Sequence, residues 1–186
     1  IWIGLSNGDV LKSQDAGRTW RTMLSAGSTI TGMMLSAVDS RRILVATSKL
    51  GFFKSHNAGE GWLQIIKPLK EYSGAKNVYS IVQDKNSSHV YSASKFGLLV
   101  SDNFGSHWRR VNTLTAPGQV RISALAVDPN DKNNVFYSAS NTFYTTADGG
   151  TRWTTNRLPT NGTPASMVVD PRSGTVVYVG IVRPQK

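Results

Sequence analysis

Four copies of one phrase divide this chain. They read Ser13-Gln-Asp15-Ala-Gly17-Arg-Thr19-Trp20, Ser55-His-Asn57-Ala-Gly59-Glu-Gly61-Trp62, Ser101-Asp-Asn103-Phe-Gly105-Ser-His107-Trp108 and Thr146-Ala-Asp148-Gly-Gly150-Thr-Arg152-Trp153. Their tryptophans stand 42, 46 and 45 residues apart, the period expected when one four-stranded sheet is repeated about an axis. A second marker keeps the same rhythm, because Asp39, Asp84, Asp128 and Asp170 follow one another at 45, 44 and 42 residues. Each closes an apolar run (Met33 to Val38, Val78 to Val82, Ile122 to Val127, Met167 to Val169) and opens a turn. In Asp128-Pro129-Asn130-Asp131 and Asp170-Pro171-Arg172-Ser173 the proline presets φ for that turn. The two markers together predict one segment over 1–186, with repeats at about 1–39, 40–84, 85–128 and 129–170 and a final strand in 171–186.

Within a period the pattern is β throughout: short alternating or fully apolar runs punctuated by Gly, Asn, Asp and Ser, with no helical periodicity. The second repeat reads as strands at Met33 to Val38, Ile43 to Thr47, Phe52 to Ser55 and from Trp62 onward. In the recurring phrase an Asp or Asn is expected to accept backbone N–H groups two residues on, as in an Asx turn. The following glycine takes the left-handed conformation at little cost, and the Ser or Thr hydroxyl secures the turn. The tryptophan is expected to bury its ring beside the hairpin, worth about 2 kcal/mol or more when covered.

These residues match the Asp box, Ser/Thr-x-Asp-x-Gly-x-Thr-Trp, and the chain resembles the bacterial neuraminidase repeat (BNR) β-propellers over nearly its whole length. Within that group it looks most like the photosystem II assembly-factor propellers and the sortilin-type ectodomains. The resemblance implies an all-β propeller of four-stranded antiparallel blades, with each box at the hairpin between third and fourth strands, away from the central channel. The box residues Ser13, Asp15, Gly17, Trp20, Ser55, Asn57, Gly59, Trp62, Ser101, Asn103, Gly105, Trp108, Thr146, Asp148, Gly150 and Trp153 are thereby read as structural. The departures agree: Asn57 and Asn103 replace the aspartate, an exchange that would disable a metal ligand or catalytic acid but that an Asx turn tolerates.

Assigning strands by this resemblance, the chain begins with a second-type strand (Trp2 to Ser6), closes three inner-to-outer cycles, and finishes with an inner strand near Met167 followed by Val176 to Val182. Five second-type strands do not balance a closed four-bladed ring. About four repeats of a larger propeller of six to eight blades is the simpler account, with closure through another chain as the alternative. The start at Ile1-Trp2-Ile3, without methionine and already in a strand pattern, is read as that of a fragment or processed piece.

Chemistry is scarce. The absence of cysteine excludes disulfides, thiolate metal sites and cysteine nucleophiles. His56, His89 and His107 show no ligand spacing, so no metal and no cofactor is expected. Glycoside hydrolysis commonly needs two opposed carboxyls, yet Glu60 and Glu71 are the only glutamates and most aspartates serve the boxes and turns. The Arg-Ile-Pro motif that sialidases resemble one another in is missing; Arg121-Ile122-Ser123 is the nearest approach. No nucleotide-binding loop or Ser-His-Asp set is visible. A net charge of +10, from 21 basic against 11 acidic residues, favours an acidic partner, and nucleic acid is not indicated beyond that charge. The basic residues are scattered, as solvated strand edges would be.

These observations favour a noncatalytic binding or scaffold propeller whose partner is a protein or another anionic surface. Arg41, Arg42, Lys49, Lys95, Arg121 and Arg172, near strand ends, are the candidate binding cations at the channel mouth. The alternatives are a carbohydrate-active propeller, sialidase- or xyloglucanase-like, with its carboxyls outside this segment, and a structural subunit of a surface assembly. No apolar stretch is long enough to span a bilayer. The expected location is extracytoplasmic, periplasmic, secreted or surface-associated, and the sequons at Asn86 and Asn161 are compatible with secretion.

Overall fold

Apolar runs such as Ile43-Leu44-Val45-Ala46-Thr47 carry no polar alternation, and a strand of that kind needs cover on both faces. The computed structural model, which describes residues 1–183, supplies that cover by stacking sheets side by side. The first sheet holds β1 (Trp2–Gly4), β2 (Asp9–Lys12) and β3 (Arg21–Ser25). The second holds β4 (Ile30–Leu35), β5 (Ile43–Thr47), β6 (Gly51–Ser55) and β7 (Leu63–Ile65). The third holds β8 (Val78–Gln83), β9 (Val90–Ser94), β10 (Leu98–Ser101) and β11 (Arg109–Arg110). The fourth holds β12 (Ile122–Asp128), β13 (Asp131–Ala139), β14 (Thr142–Thr146) and β15 (Thr154–Arg157), and the fifth holds β16 (Thr163–Asp170) and β17 (Ser173–Val182).

Every pairing is antiparallel and each four-stranded sheet runs in sequence order, so each is a meander with its first strand innermost. Successive inner strands pack on one another, β4 on β8, β8 on β12 and β12 on β16. The chain therefore folds as β-propeller blades. Burial follows position: β5 and β9 are buried at every residue, whereas β11 and β15 are exposed at every residue. One apolar layer fills each seam. Val10 packs with Ile43 and Val45, Leu44 and Phe52 with Leu99 and Trp108, Val100 with Tyr137, and Phe136 with Val169.

The repeat boundaries read from the sequence fall in the turns after the inner strands, so the sequence period is out of phase with the blades. Strand limits also shift: β4 begins at Ile30 and stops at Leu35, leaving Val38 exposed in the turn, and a three-residue 3₁₀ turn occupies Lys67–Leu69. Each inner strand carries a β-bulge near its start, with Thr31, Tyr79, Ser123 and Ala165 as the unpaired residues.

Candidate functional site

Each box lies between the last two strands of its sheet, and their hydrogen bonds repeat in all four copies. The hydroxyl at the first position donates to the carboxylate or amide oxygen two residues on (Ser13 to Asp15 2.8 Å, Ser55 to Asn57 2.9 Å, Ser101 to Asn103 3.0 Å, Thr146 to Asp148 2.8 Å). The same hydroxyl accepts the glycine N–H four residues on at 2.7 to 3.1 Å. The Asp or Asn oxygen accepts an N–H four residues on, from Thr19, Gly61, His107 and Arg152. The expected two-residue Asx contact is thus replaced by a wider one, because the hydroxyl takes the nearer N–H groups. The residue ahead of the glycine is left-handed as well, including Ala16, Ala58 and Phe104, a strain of order 1 kcal/mol in a non-glycine residue. Hydrogen bonds from the Thr19 hydroxyl, the Thr19 N–H and the Ser13 hydroxyl hold the Asp15 carboxyl down at about 2. The Arg152 N–H, Thr146 hydroxyl and Arg152 side chain depress Asp148 likewise.

The third and fourth boxes also rest on the blade before them. Trp108 stacks on Phe52 of the second blade with centroids 4.6 Å apart, and Trp153 donates to Asn112 O at 2.7 Å. Gly105 is left-handed (φ 81°), and a side-chain carbon there would lie 2.9 Å from the buried Leu44 Cδ1, so glycine suits both the conformation and the close approach. Trp108 is accordingly 7% exposed, whereas Trp20, on the first blade of this chain, is 40% exposed. Its burial, expected from sequence as a property of its own hairpin, depends on a neighbouring blade.

The register divides the loops between two faces. At the leading end, where inner strands begin, Ile30 pairs with Thr47 and Thr47 with Gly51, so the 48–50 loop lies beside the segments that enter each inner strand. At the trailing end lie the turns after the inner strands and all four boxes. Of the six cations singled out, Lys49, Lys95 and Arg121 are exposed at the leading end on successive blades. Arg41, Arg42 and Arg172 lie at the trailing end. The structure does not bring the six into one patch. The trailing turns and boxes also hold most carboxylates, whereas Asp9 and Glu71 are the acidic residues at the leading end.

A groove of about 770 Å³ opens at the leading end of the inner strands, lined among others by Tyr79, Arg121, Ser123, Asn141, Asn161 and Thr163. Tyr79 and Ser123 are bulge residues, and a bulge re-aims its side chain out of the pleat. The Arg121 guanidinium lies 4.4 Å from the Tyr79 ring centroid, and the Ser123 hydroxyl bonds Ser138 O at 3.2 Å. Asn141 donates to Thr160 O at 2.6 Å, tying one blade's loop to the segment leading into the next. A second hollow, lined by Ser73, Asn77, Lys95 and Phe96, repeats the arrangement one blade earlier. Neither lining includes a carboxyl group. Sequence reasoning missed Tyr79 and Ser123, since a bulge is a register event between strands.

His56 and His107 are exposed, but His89 is 8% exposed and its Nε2 lies 2.8 Å from Asp102 Oδ1, a carboxylate contact that spacing alone did not reveal. Among the described residues no three His, Cys, Asp or Glu side chains cluster as a metal site, and no helix is long and apolar enough to cross a membrane.

No protein-family model and no curated protein matches this chain. Among solved structures it is similar to the GH74 xyloglucanase from Xanthomonas campestris (TM-score 0.76, 16% identity, covering 97% of this chain and 33% of that one). It is also similar to an ancestral GH74 enzyme (TM-score 0.74, 19% identity, 99% and 26%). A third likeness is to YCF48 bound to D1 peptide (TM-score 0.70, 14% identity, 97% and 58%). The chain thus spans about a quarter to a third of the GH74 enzymes and over half of YCF48. At these identities the likeness establishes the propeller fold alone.

Proposed function

We propose that this chain is a noncatalytic propeller module of the Asp-box type that binds an acidic protein segment across its leading face, in an extracytoplasmic setting. The observation that carries the reading is the division of charge: Lys49, Lys95 and Arg121 stand exposed on successive blades, while carboxylates gather at the opposite face. The adjoining groove offers hydroxyls, amides and the Arg121–Tyr79 stack without a carboxylate to repel an anionic chain. The solved YCF48 complex with a peptide adds a propeller of this architecture that holds a peptide. The boxes, in this reading, are seam-locking turns.

Fluorescence anisotropy of labelled polyglutamate with the full chain tests the assignment. Lys49→Glu/Lys95→Glu/Arg121→Glu should weaken binding at least about tenfold at low salt, and Arg41→Glu/Arg172→Glu should change it less than about twofold. Equal losses from both variants would overturn the leading-face assignment. The GH74 likeness supports a second reading, a carbohydrate-active propeller whose carboxyls lie outside this segment. Turnover of xyloglucan by the full-length protein, abolished by mutating a paired carboxylate, would replace the first reading with the second.

A further inference from the structure

One seam at the trailing face concentrates positive charge with no carboxylate among the described residues in ion-pair contact with it. Lys54, the last residue before the Ser55 box hydroxyl, is 1% exposed and donates from Nζ to Asn103 O (3.3 Å) and to the Ser106 hydroxyl (2.5 Å) of the third blade's box. Arg42 reaches the same Asn103 carbonyl through Nη2 at 3.3 Å, and its buried Nε has no hydrogen-bond partner in the protein. Arg42 and Lys54 lie over the Phe104 ring, at 5.4 and 5.7 Å from its centroid respectively. His56 stands opposite Arg42 in the register, one step beyond the Ile43–Ser55 pair. Among the described residues no carboxylate forms an ion pair with any of the three; the nearby Asp39 is engaged by Arg41 at 3.1 Å.

The repeats provide an internal control. In the third blade the positions of Arg42, His56 and Lys54 are held by His89, Asp102 and Val100, and His89 pairs with Asp102 at 2.8 Å. In the fourth they are held by Asn134, Ala147 and Thr145, which carry no charge. The third and fourth blades thus close here with a complementary pair or with neutral residues, and the first carries Lys12 alone at the Lys54 position, over the Trp2 ring, so packing does not require three bases in the second. Burying an uncompensated charge is unfavourable. Burial and the neighbouring Arg42 bring the Lys54 ammonium down to about 8, and burial with Lys54 and Arg42 lowers His56.

We propose that Arg42, Lys54 and His56, with Ser106, form an oxyanion site for a phosphate group at the seam between the second and third blades. Arg42 and Lys54 reach Asn103 O from separate positions in the second blade, and a doubly charged tetrahedral anion offsets more of the accumulated charge than a carboxylate does. Arg42 is half-buried and His56 exposed, so the site opens to solvent at the trailing face, with Lys54 beneath.

The test titrates the full chain with inorganic phosphate and with glycerol 3-phosphate, at ionic strength matched with chloride, by calorimetry and thermal unfolding. A saturable rise in Tm with phosphate is expected. Arg42→Gln and His56→Gln should each weaken it about tenfold, the loss of one charge-assisted contact. Lys54→Met should remain folded without the response, and Arg172→Gln should retain it. A response to both compounds marks a site open to phosphomonoesters, and a response to phosphate alone marks one for the free ion. No rise beyond chloride, or an undiminished rise in Arg42→Gln, would overturn the proposal.

Discussion

Replacing Lys54 with methionine should stabilise the protein near neutral pH, in phosphate-free buffer. Methionine keeps the length and flexibility of the lysine stem, and the equivalent place in the third blade is the fully buried Val100. The fall of the Lys54 pKa from 10.5 to about 8 corresponds to a penalty of roughly 3 kcal/mol on the charged form, at 1.36 kcal/mol per unit. Losing the charge-assisted bond to Ser106 offsets about 2 kcal/mol of that, since Arg42 still serves Asn103 O. The net gain is about 1 kcal/mol, or roughly 2–4 °C in Tm for a chain of this size. The pH dependence has a definite sign. Below pH 8 lysine is charged in both states and the penalty is complete. Between about 8 and 10.5 the unfolded chain holds the proton that the folded chain has released, so wild-type stability rises with pH and the advantage of methionine vanishes. Equilibrium urea unfolding, followed by tryptophan fluorescence at pH 7 and pH 10, measures both effects. A destabilised Lys54→Met at pH 7, or a difference unchanged at pH 10, would refute the reasoning.

Two further outcomes follow from the boxes. Trp108→Ala removes a ring stacked on Phe52 across a seam and should lower stability by about 3–5 kcal/mol, whereas Trp20→Ala, at a 40% exposed position, should lower it by about 1 kcal/mol; equal losses in urea unfolding would contradict the seam role. Asp15, held at about 2 in the folded state against 3.8, supports stability above pH 3.8 and withdraws that support as pH falls toward 2. Thr19→Val, which removes the largest cause, should move the Asp15 midpoint upward in an NMR titration, and an unmoved midpoint would assign the depression to another group.

The propeller was legible because its evidence is covalent and periodic. Box tryptophans and turn aspartates recur at one spacing along the chain, and strands such as Ile43–Thr47 announce burial on both faces through their composition. Even the imbalance of second-type strands can be counted without coordinates. The candidate sites were not legible in the same way. Lys49, Lys95 and Arg121 resemble Arg41, Arg42 and Arg172 in residue type and in nearness to strand ends, and only the pairing register assigns them to opposite faces.

The chain by itself determined the strand order within each sheet and the positions of the turns, since both rest on contacts between residues close in sequence. Tertiary structure alone decided what depends on neighbouring blades. It buried Trp108 against Phe52 of the neighbouring blade, turned Tyr79 and Ser123 out of their bulges, and set Lys54 and Arg42 against a box roughly fifty to sixty residues away. The reason is geometric: a local pattern specifies which residues face sideways from a blade, but the environment they meet belongs to the next repeat, and the repeats differ in sequence.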